Sequence, residues 1–404
     1  MLLCLPETVK KYNLEVLGVI EDCQGSSDGL RGGPTEPTLE GQMLSYQRVH
    51  GDKPNKKIHY IEAHGTGTII GDKTELQSLD KFFAQEIPIG SVKANVGHTI
   101  GAAGTVALIK CLEIIKNRVI PPSVHFKNLP NTVSTQLFLN QEKIILPKDE
   151  VIHIPISSFG FGGTNFHLLL SSDIEQAANP APQKNTEQLL LCSTEEILFA
   201  DLPEARVHSK IRIPPKTVPH FDPMVLSGFL AIEKIMQKNS LQFLSEDLKK
   251  IVTLSAGTES LDLTWEINDS LALDDLSQEL VGTVYFEKAR QVIQSLAQLS
   301  ADSGASVLNN LVAGRAAKMF NFQGPNFHID ADLLSRPVAY LVAHHLIQNG
   351  TPCVFVLTAQ EKFNETKKEF ERIGLRADLF CSIDFIEKYD LPVLSEIAEL
   401  KIEG

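Results

Sequence analysis

The chain has 404 residues, 43% of them apolar and 22% charged, an ordinary balance for a globular protein with room for two or three domains. Its formal net charge of −13 argues against general nucleic-acid binding and against anionic membrane surfaces, both of which favour a basic face. No window approaches ~18 consecutive apolar residues, so no membrane span is expected.

In the first part of the chain, strands are expected at Glu15–Glu21, Lys57–Glu62, Ile87–Val92, Lys143–Leu146, Ile152–Ser157 and His167–Leu170. Helices fit Thr74–Phe83 and Gly101–Lys116. The second has small residues in its first turns and aliphatics at Val106, Leu108, Ile109, Leu112 and Ile115, and Pro121-Pro122 prevents continuation as helix. Residues 172–188 are polar, contain two prolines and lack aliphatic periodicity, which reads as a linker between units at 1–171 and 189–404. Beyond it, strands fit Leu189–Cys192, Ile251–Ser255 and Cys353–Leu357, and helices fit Met224–Lys238, Val284–Leu299, Ala305–Phe320 and Arg336–Gln348. The last 45 residues have no clear pattern. Alternating strands and helices favour an α/β sheet sandwich.

Six scattered cysteines (Cys4, Cys23, Cys111, Cys192, Cys353, Cys381) form no CxxC pair and read as reduced thiols of a cytoplasmic protein. The apolar start Met1-Leu2-Leu3-Cys4-Leu5-Pro6 lacks the basic leader of a signal peptide.

Three glycine-punctuated segments follow predicted strand ends: Glu62-Ala63-His64-Gly65-Thr66-Gly67-Thr68, Lys93-Ala94-Asn95-Val96-Gly97-His98, and Ser158-Phe159-Gly160-Phe161-Gly162-Gly163-Thr164-Asn165. His98 lies just before a helix whose positive end disfavours imidazolium, and a neutral imidazole there can donate to a developing oxyanion. Around His64, Gly65 and Gly67 allow a sharp turn, and Thr66 and Thr68 present hydroxyls at the strand's C-terminal edge. Lys93 can hold a neighbouring histidine neutral. Asp72 and Glu75 read as caps of the helix expected from Thr74. Phe161, between glycines, has the freedom to gate a pocket. GFGG is no phosphate loop, because no Lys-Ser/Thr follows. The histidine spacings, His344-His345 included, do not make a metal site.

Taken together and in this order, EAHGTGT, KANVGH with TIGAAG, and SSFGFGGTNFH resemble the C-terminal half of the β-ketoacyl synthase (ketosynthase) family of fatty-acid and polyketide synthases, over residues 10–171. Gly71-Asp72 and Glu75 also fit, while Lys73 and Thr74 depart from the usual Pro-Ile. The resemblance implies a thiolase-like fold, two α/β halves in a five-layered α/β/α/β/α arrangement, here as incomplete domains. It implies a decarboxylative Claisen condensation of an acyl thioester with a malonyl-type extender. It makes His64 and His98 the catalytic histidines and Lys93 the motif lysine. Thr66, Thr68, Phe161, Gly162 and Asn95 become the substrate-binding set, with Phe161 gating. No permanently bound cofactor is implied, since substrates ride on the phosphopantetheine of an acyl carrier protein. The family's nucleophilic cysteine lies in the N-terminal half, expected upstream of Met1, so the chain is expected to be a fragment or to work beside another polypeptide, as a dimer or docked to other synthase subunits.

Residues 306–358 resemble that missing half in degraded form. Phe322-Gln323-Gly324-Pro325-Asn326-Phe327-His328-Ile329-Asp330-Ala331 is similar to the run entering the nucleophile elbow, and Leu333 occupies the cysteine position. Arg212-Ile213-Pro214-Pro215 and His220-Phe221-Asp222-Pro223 fit the entry of such a domain. A catalytically dead ketosynthase after a live one is the layout of chain-length-factor partners. The other functional classes open at this point are a non-catalytic module that docks carrier proteins and a remnant able only to decarboxylate.

Overall fold

The computed structural model of the chain describes residues 2–31, 36–125, 136–174, 189–202, 222–257, 311–331, 334–364, 366 and 369–397. It divides into two units, Met1–Lys184 and Asn185–Gly404. Most of the linker expected at 172–188 lies outside the described residues, as do the helix expected at Val284–Leu299, the segment Arg212–Pro215 and Leu333.

The first unit contains helices α1 (Pro6–Tyr12), α2 (Leu39–His50), α3 (Ile69–Phe83), α4 (Lys93–Val96) and α5 (Ala103–Asn117). Its main strands are β1 (Val19–Ser27), β2 (Ile61–Glu62), β3 (Ile89–Gly90), β6 (His153–Gly160) and β7 (Thr164–Ser171), with β4 (Val119–Ile120) and β5 (Ile144–Ile145) pairing separately. The five-stranded sheet runs β1-β7-β6-β2-β3. β2 is parallel to both β3 and β6, whereas β7 is antiparallel to β6 and β1 to β7. The C-terminal ends of β2, β3, β6 and β1 therefore share one sheet edge with the start of β7.

Alternation along β2 sorts the sheet's two faces. Ile61 and Ala63 pack with Leu76, Leu79, Phe82 and Phe83 of α3 and Tyr46 of α2. Tyr60 packs on the other face with Leu108, Cys111, Ile114 and Ile115 of α5. Both faces of the sheet are thus covered by helices, the α/β arrangement expected.

Several boundaries differ from the sequence-based expectation. The first strand begins at Val19 rather than Glu15, because only from there does it pair with β7. α2 was not anticipated. Thr38 caps it by accepting the Gly41 N–H, and its buried residues are Gly41, Gln42, Ser45, Tyr46 and His50. A core face that polar hides the hydrophobic period on which helix recognition rests. α3 starts at Ile69 rather than Thr74, which moves Glu75 well inside the helix.

The second unit holds α6 (Pro223–Lys238), α7 (Ser245–Leu248), α8 (Leu311–Met319), α9 (Ser335–Gln348) and α10 (Ile383–Tyr389). Its strands are β8 (Leu189–Leu198), β9 (Val252–Ala256), β10 (Asn326–Ile329), β11 (Cys353–Asn364), β12 (Glu369–Cys381) and β13 (Ser395–Ile397), in the order β10-β9-β11-β12-β8-β13. β10, β9 and β11 are parallel, and the pairings from β11 onward are antiparallel. Phe355 and Leu357 pack with α6 and α8, and Val354 and Val356 with Ala339, Ala343 and Ile347 of α9. β12 and α10 fall in the stretch where the sequence had no clear pattern.

Candidate active site

β2 runs straight into the first motif. Glu62 is fully buried, and two residues later His64 leaves the sheet edge half-buried. The turn is tight: Gly65 has φ +46°, and a Cβ there would stand 2.7 Å from the Ser91 Cβ, so only glycine lets this loop approach the end of β3. The loop is held from below by α3. Glu75, buried, accepts the His64 N–H at 2.7 Å and the Gly65 N–H at 2.9 Å. Asp72 accepts the Gly67 N–H at 3.0 Å. Glu75 is therefore no cap of α3, as its position in sequence suggested, but the anchor of the histidine-bearing loop.

The second motif forms the four-residue α4 and then reaches His98. Ile100, β-branched and exposed, adopts φ +50°, an unfavourable conformation for such a residue. That geometry delivers the Ile100 N–H to Nδ1 of His98 at 3.0 Å. The third motif does the same for its counterpart: the Phe159 N–H, on β6, donates to Nδ1 of His64 at 3.2 Å.

The two imidazoles meet edge to face, with centroids 5.6 Å apart and planes at 84°. The Phe159 ring stands 5.4 Å from His64. Each Nδ1 accepts a backbone N–H, so each neutral ring carries its proton on Nε2 and keeps one N–H for another partner. Burial, then the Lys93 ammonium, then His98 push the His64 imidazole down to about 3. His98, on the exposed side of the pair, is lowered by the part of it that is covered and by Lys93. Lys93 is itself lowered by burial, against the pull of Glu75 and Glu62. Two neutral donors beside one ammonium suit a group that develops negative charge on oxygen.

The remaining candidates are placed as follows. Thr66 and Thr68 lie on the His64 loop with hydroxyls 3.3 Å apart. Asn95 is exposed on α4. Gly162 and Phe161 are in the turn between β6 and β7, with the Phe161 ring about half exposed while Phe159 packs inward. That turn is pinned to β1: Asp28 accepts Asn165 Nδ2 at 2.9 Å and the Thr38 hydroxyl at 2.7 Å, and its N–H donates to the Gly163 carbonyl. Of the thiols in this unit, Cys111 is fully buried on α5 and Cys23 is exposed on β1. Among the described residues no group of His, Cys, Asp and Glu suits a metal. A cavity of about 1160 Å3, lined by Leu3, Leu14, Leu17, Ile109 and Leu112 among others, shares no residue with the imidazole site.

Sequence reasoning missed what Glu62 and Glu75 do. The signal for Glu62 was present: a carboxylate flanked by Tyr60, Ile61 and Ala63, on a strand covered on both faces, needs partners.

Residues 17–127 match the family model described as beta-ketoacyl synthase, C-terminal domain. Probable polyketide synthase 1 of Dictyostelium discoideum is 33% identical over 187 residues, 38% of this chain and 6% of that protein. The highly reducing polyketide synthase AFT9-1 of Alternaria alternata is 37% identical over 195 residues, 45% of this chain and 6% of that protein. The chain thus spans a small fraction of the length of these relatives. The solved structure titled PfaC Keto synthase-Chain length factor aligns with TM-score 0.76 and 19% identity over 94% of this chain and 49% of its own. At that identity the likeness speaks of fold, and the fold is that of a thiolase-like ketosynthase. Residues 17–127 carry a ketosynthase C-terminal domain resembling those of polyketide synthases.

Proposed function

We propose that the first unit is the two-histidine half of a β-ketoacyl-[acyl-carrier-protein] synthase within a multidomain polyketide or fatty-acid synthase, and that the second is a chain-length-factor-like partner. The observation that carries this reading is the pair of neutral imidazoles, each with Nδ1 occupied by a backbone N–H and Nε2–H left to donate. A malonyl-type thioester, brought on the phosphopantetheine of an acyl carrier protein, places its carbonyl oxygen against the two Nε2–H groups. The bond to the carboxylate breaks, CO2 leaves, and the electron pair passes into the carbonyl, whose oxygen becomes an enolate oxyanion held by His64 and His98. Lys93 keeps both rings neutral and adds positive potential. Thr66, Thr68 and Asn95 meet the carrier arm, and Phe161, with Gly162 as its hinge, gates the entrance.

Condensation needs one thing more, an acyl thioester on a cysteine for the carbanion to attack. Cys111, Cys192, Cys353 and Cys381 are buried, Cys23 stands on β1 and Cys4 precedes α1, so in this reading the condensing sulfur belongs to a complementary ketosynthase half, and this chain alone releases CO2, the enolate taking a proton from water, without making a 3-oxoacyl product.

The test uses carboxyl-labelled malonyl-pantetheine. The full chain releases labelled CO2, and His64→Ala and His98→Ala each lower the rate by about 10²-fold. Release that is undiminished in both variants, or a 3-oxoacyl product from the chain alone, overturns the proposal. A second reading, a docking module without chemistry, is favoured by exposed apolar side chains around the imidazoles: Ile69, Ile70, Val96, Ile100 and Phe161. Carrier-protein binding without any CO2 release selects it.

A further inference from the structure

Glu62 lies two residues before His64 on β2 and is fully buried. Its Oε1 accepts the Val92 N–H at 2.6 Å, and Val92 immediately precedes Lys93. Its Oε2 accepts the Lys110 ammonium at 2.7 Å and the Tyr60 hydroxyl at 2.9 Å. Lys110 also donates to the Tyr60 hydroxyl at 2.6 Å, and its ammonium stands 5.0 Å from the Tyr60 ring centroid. Lys110 belongs to α5, the helix entered through His98.

One carboxylate therefore touches all three chain segments that bear the site: the strand leading to His64, the turn carrying Lys93 and the helix following His98. The turn needs this help. α4 is only four residues long, its N-cap Val92 has no side-chain oxygen, and the Ser91 hydroxyl reaches the Lys93 N–H only at 3.4 Å. Buried charge is retained only when paired and fully hydrogen-bonded, and Glu62 meets that condition through three donors.

We propose that Glu62, with Lys110 as its counter-ion, is a positioning pair that holds the Lys93 ammonium against the two imidazoles. This rests on the reading of His64 and His98 as the reactive pair. It adds that the charge state of that pair is set from the far side of the sheet edge. Releasing the turn lets the Lys93 ammonium move toward solvent and removes its repulsion from His64. Direct removal of the Glu62 negative charge acts in the opposite direction, because it disfavours imidazolium, so the sign of the change separates positioning from simple electrostatics.

The experiment is an NMR titration of the His64 imidazole in the full chain, which does not depend on turnover. In Glu62→Gln, of nearly the same size and able to accept one N–H, the His64 pKa rises by about one unit or more. Lys93→Met raises it as well, and Glu62→Gln/Lys93→Met adds nothing beyond the larger single effect, the mark of two residues acting as one unit. If Glu62→Gln does not fold, Glu62→Asp, which keeps the negative charge but is too short to hold the Val92 N–H as Glu62 does, carries the same expectation. A folded variant whose His64 titration is unchanged or moves down, or additive shifts in the double variant, overturns the proposal, even if thermal stability falls. Absence of CO2 release from the unaltered chain counts against the catalytic reading alone and leaves the titration result standing.

Discussion

The Glu75 carboxylate on α3 accepts the backbone N–H groups of both His64 and Gly65, at 2.7 and 2.9 Å. Burial, with Asp72 adding, raises this carboxyl from 4.5 to about 7 against the pull of the two N–H groups and Lys93. Only the ionised form has both oxygens free to accept. Below about pH 7 a proton competes for one of them and the His64 loop loosens, although His64 itself stays neutral down to about 3. Malonyl-thioester decarboxylation is therefore expected to fall on the acid side of about pH 7, and Glu75→Gln to remove that limb and lower the plateau about tenfold. Stability runs the other way. A carboxyl raised on folding contributes most below its unfolded value of 4.5, and that contribution is lost as pH rises through about 7. Rate profiles and thermal melts of the two forms over the same pH range check both signs.

The turn at Phe161–Gly163 is sterically committed. Gly163 has φ +74°, and a Cβ there would come 2.9 Å from the Asp28 Cβ. Gly163→Ala is expected to cost about 1–3 kcal/mol and to push Asp28 away from Asn165 and Thr38. Urea unfolding measures the cost, and loss of CO2 release in the folded fraction reports how far the displacement reaches.

Behind the site, His50 and His167 share one proton across an Nε2···Nε2 distance of 3.1 Å, and Ser157 bonds the other His167 nitrogen at 3.0 Å. Burial first, and Lys56 with it, lowers His50 to about 4, and burial with His50 lowers His167 well below the ordinary histidine value. Histidines depressed on folding leave the fold most stable above about 6.5, with stability lost as pH falls toward about 4. For His50 the loss is about 2–3 kcal/mol. His50→Gln, which still offers a polar partner to His167, is expected to make the melting temperature fall less steeply over that window, with the part due to buried His167 remaining.

In the second unit, Asp378 is fully buried and accepts Arg376 Nε at 2.9 and 3.0 Å and the Tyr340 hydroxyl on α9. Asp378→Ala leaves both donors facing a half-buried void, and about 2–3 kcal/mol of stability is expected to go with it. Because Glu196 also pairs with Arg376, at 3.4 Å, the loss is expected to exceed that of Glu196→Ala, whose carboxylate is exposed. Chemical denaturation of the two variants compares them.

The helices α3, α5, α6 and α9 were legible because each buries a largely apolar stripe at helical spacing. α2 was not, because its inward face is Gly41, Gln42, Ser45, Tyr46 and His50, whose burial depends on hydrogen bonds to residues distant in the chain. β12 was missed because charged residues interrupt its first half. Its pairing along β11, from Glu369 opposite Asn364 to Cys381 opposite Cys353, supplies the order that local pattern lacks.

At the site, the glycine-punctuated motifs singled out His64, Lys93 and His98 in the sequence, and the fold brings the two imidazoles to within 5.6 Å of each other. Chain order is silent on which ring nitrogen carries the proton and on which side groups steady the loops. Those depended on strands β2 and β6 running parallel, which brings the Phe159 N–H to Nδ1 of His64, and on the positive φ of Ile100, which turns its N–H to Nδ1 of His98. They depended equally on Glu62 and Glu75 being drawn out of water, where a carboxylate binds whichever N–H groups three-dimensional packing brings to it.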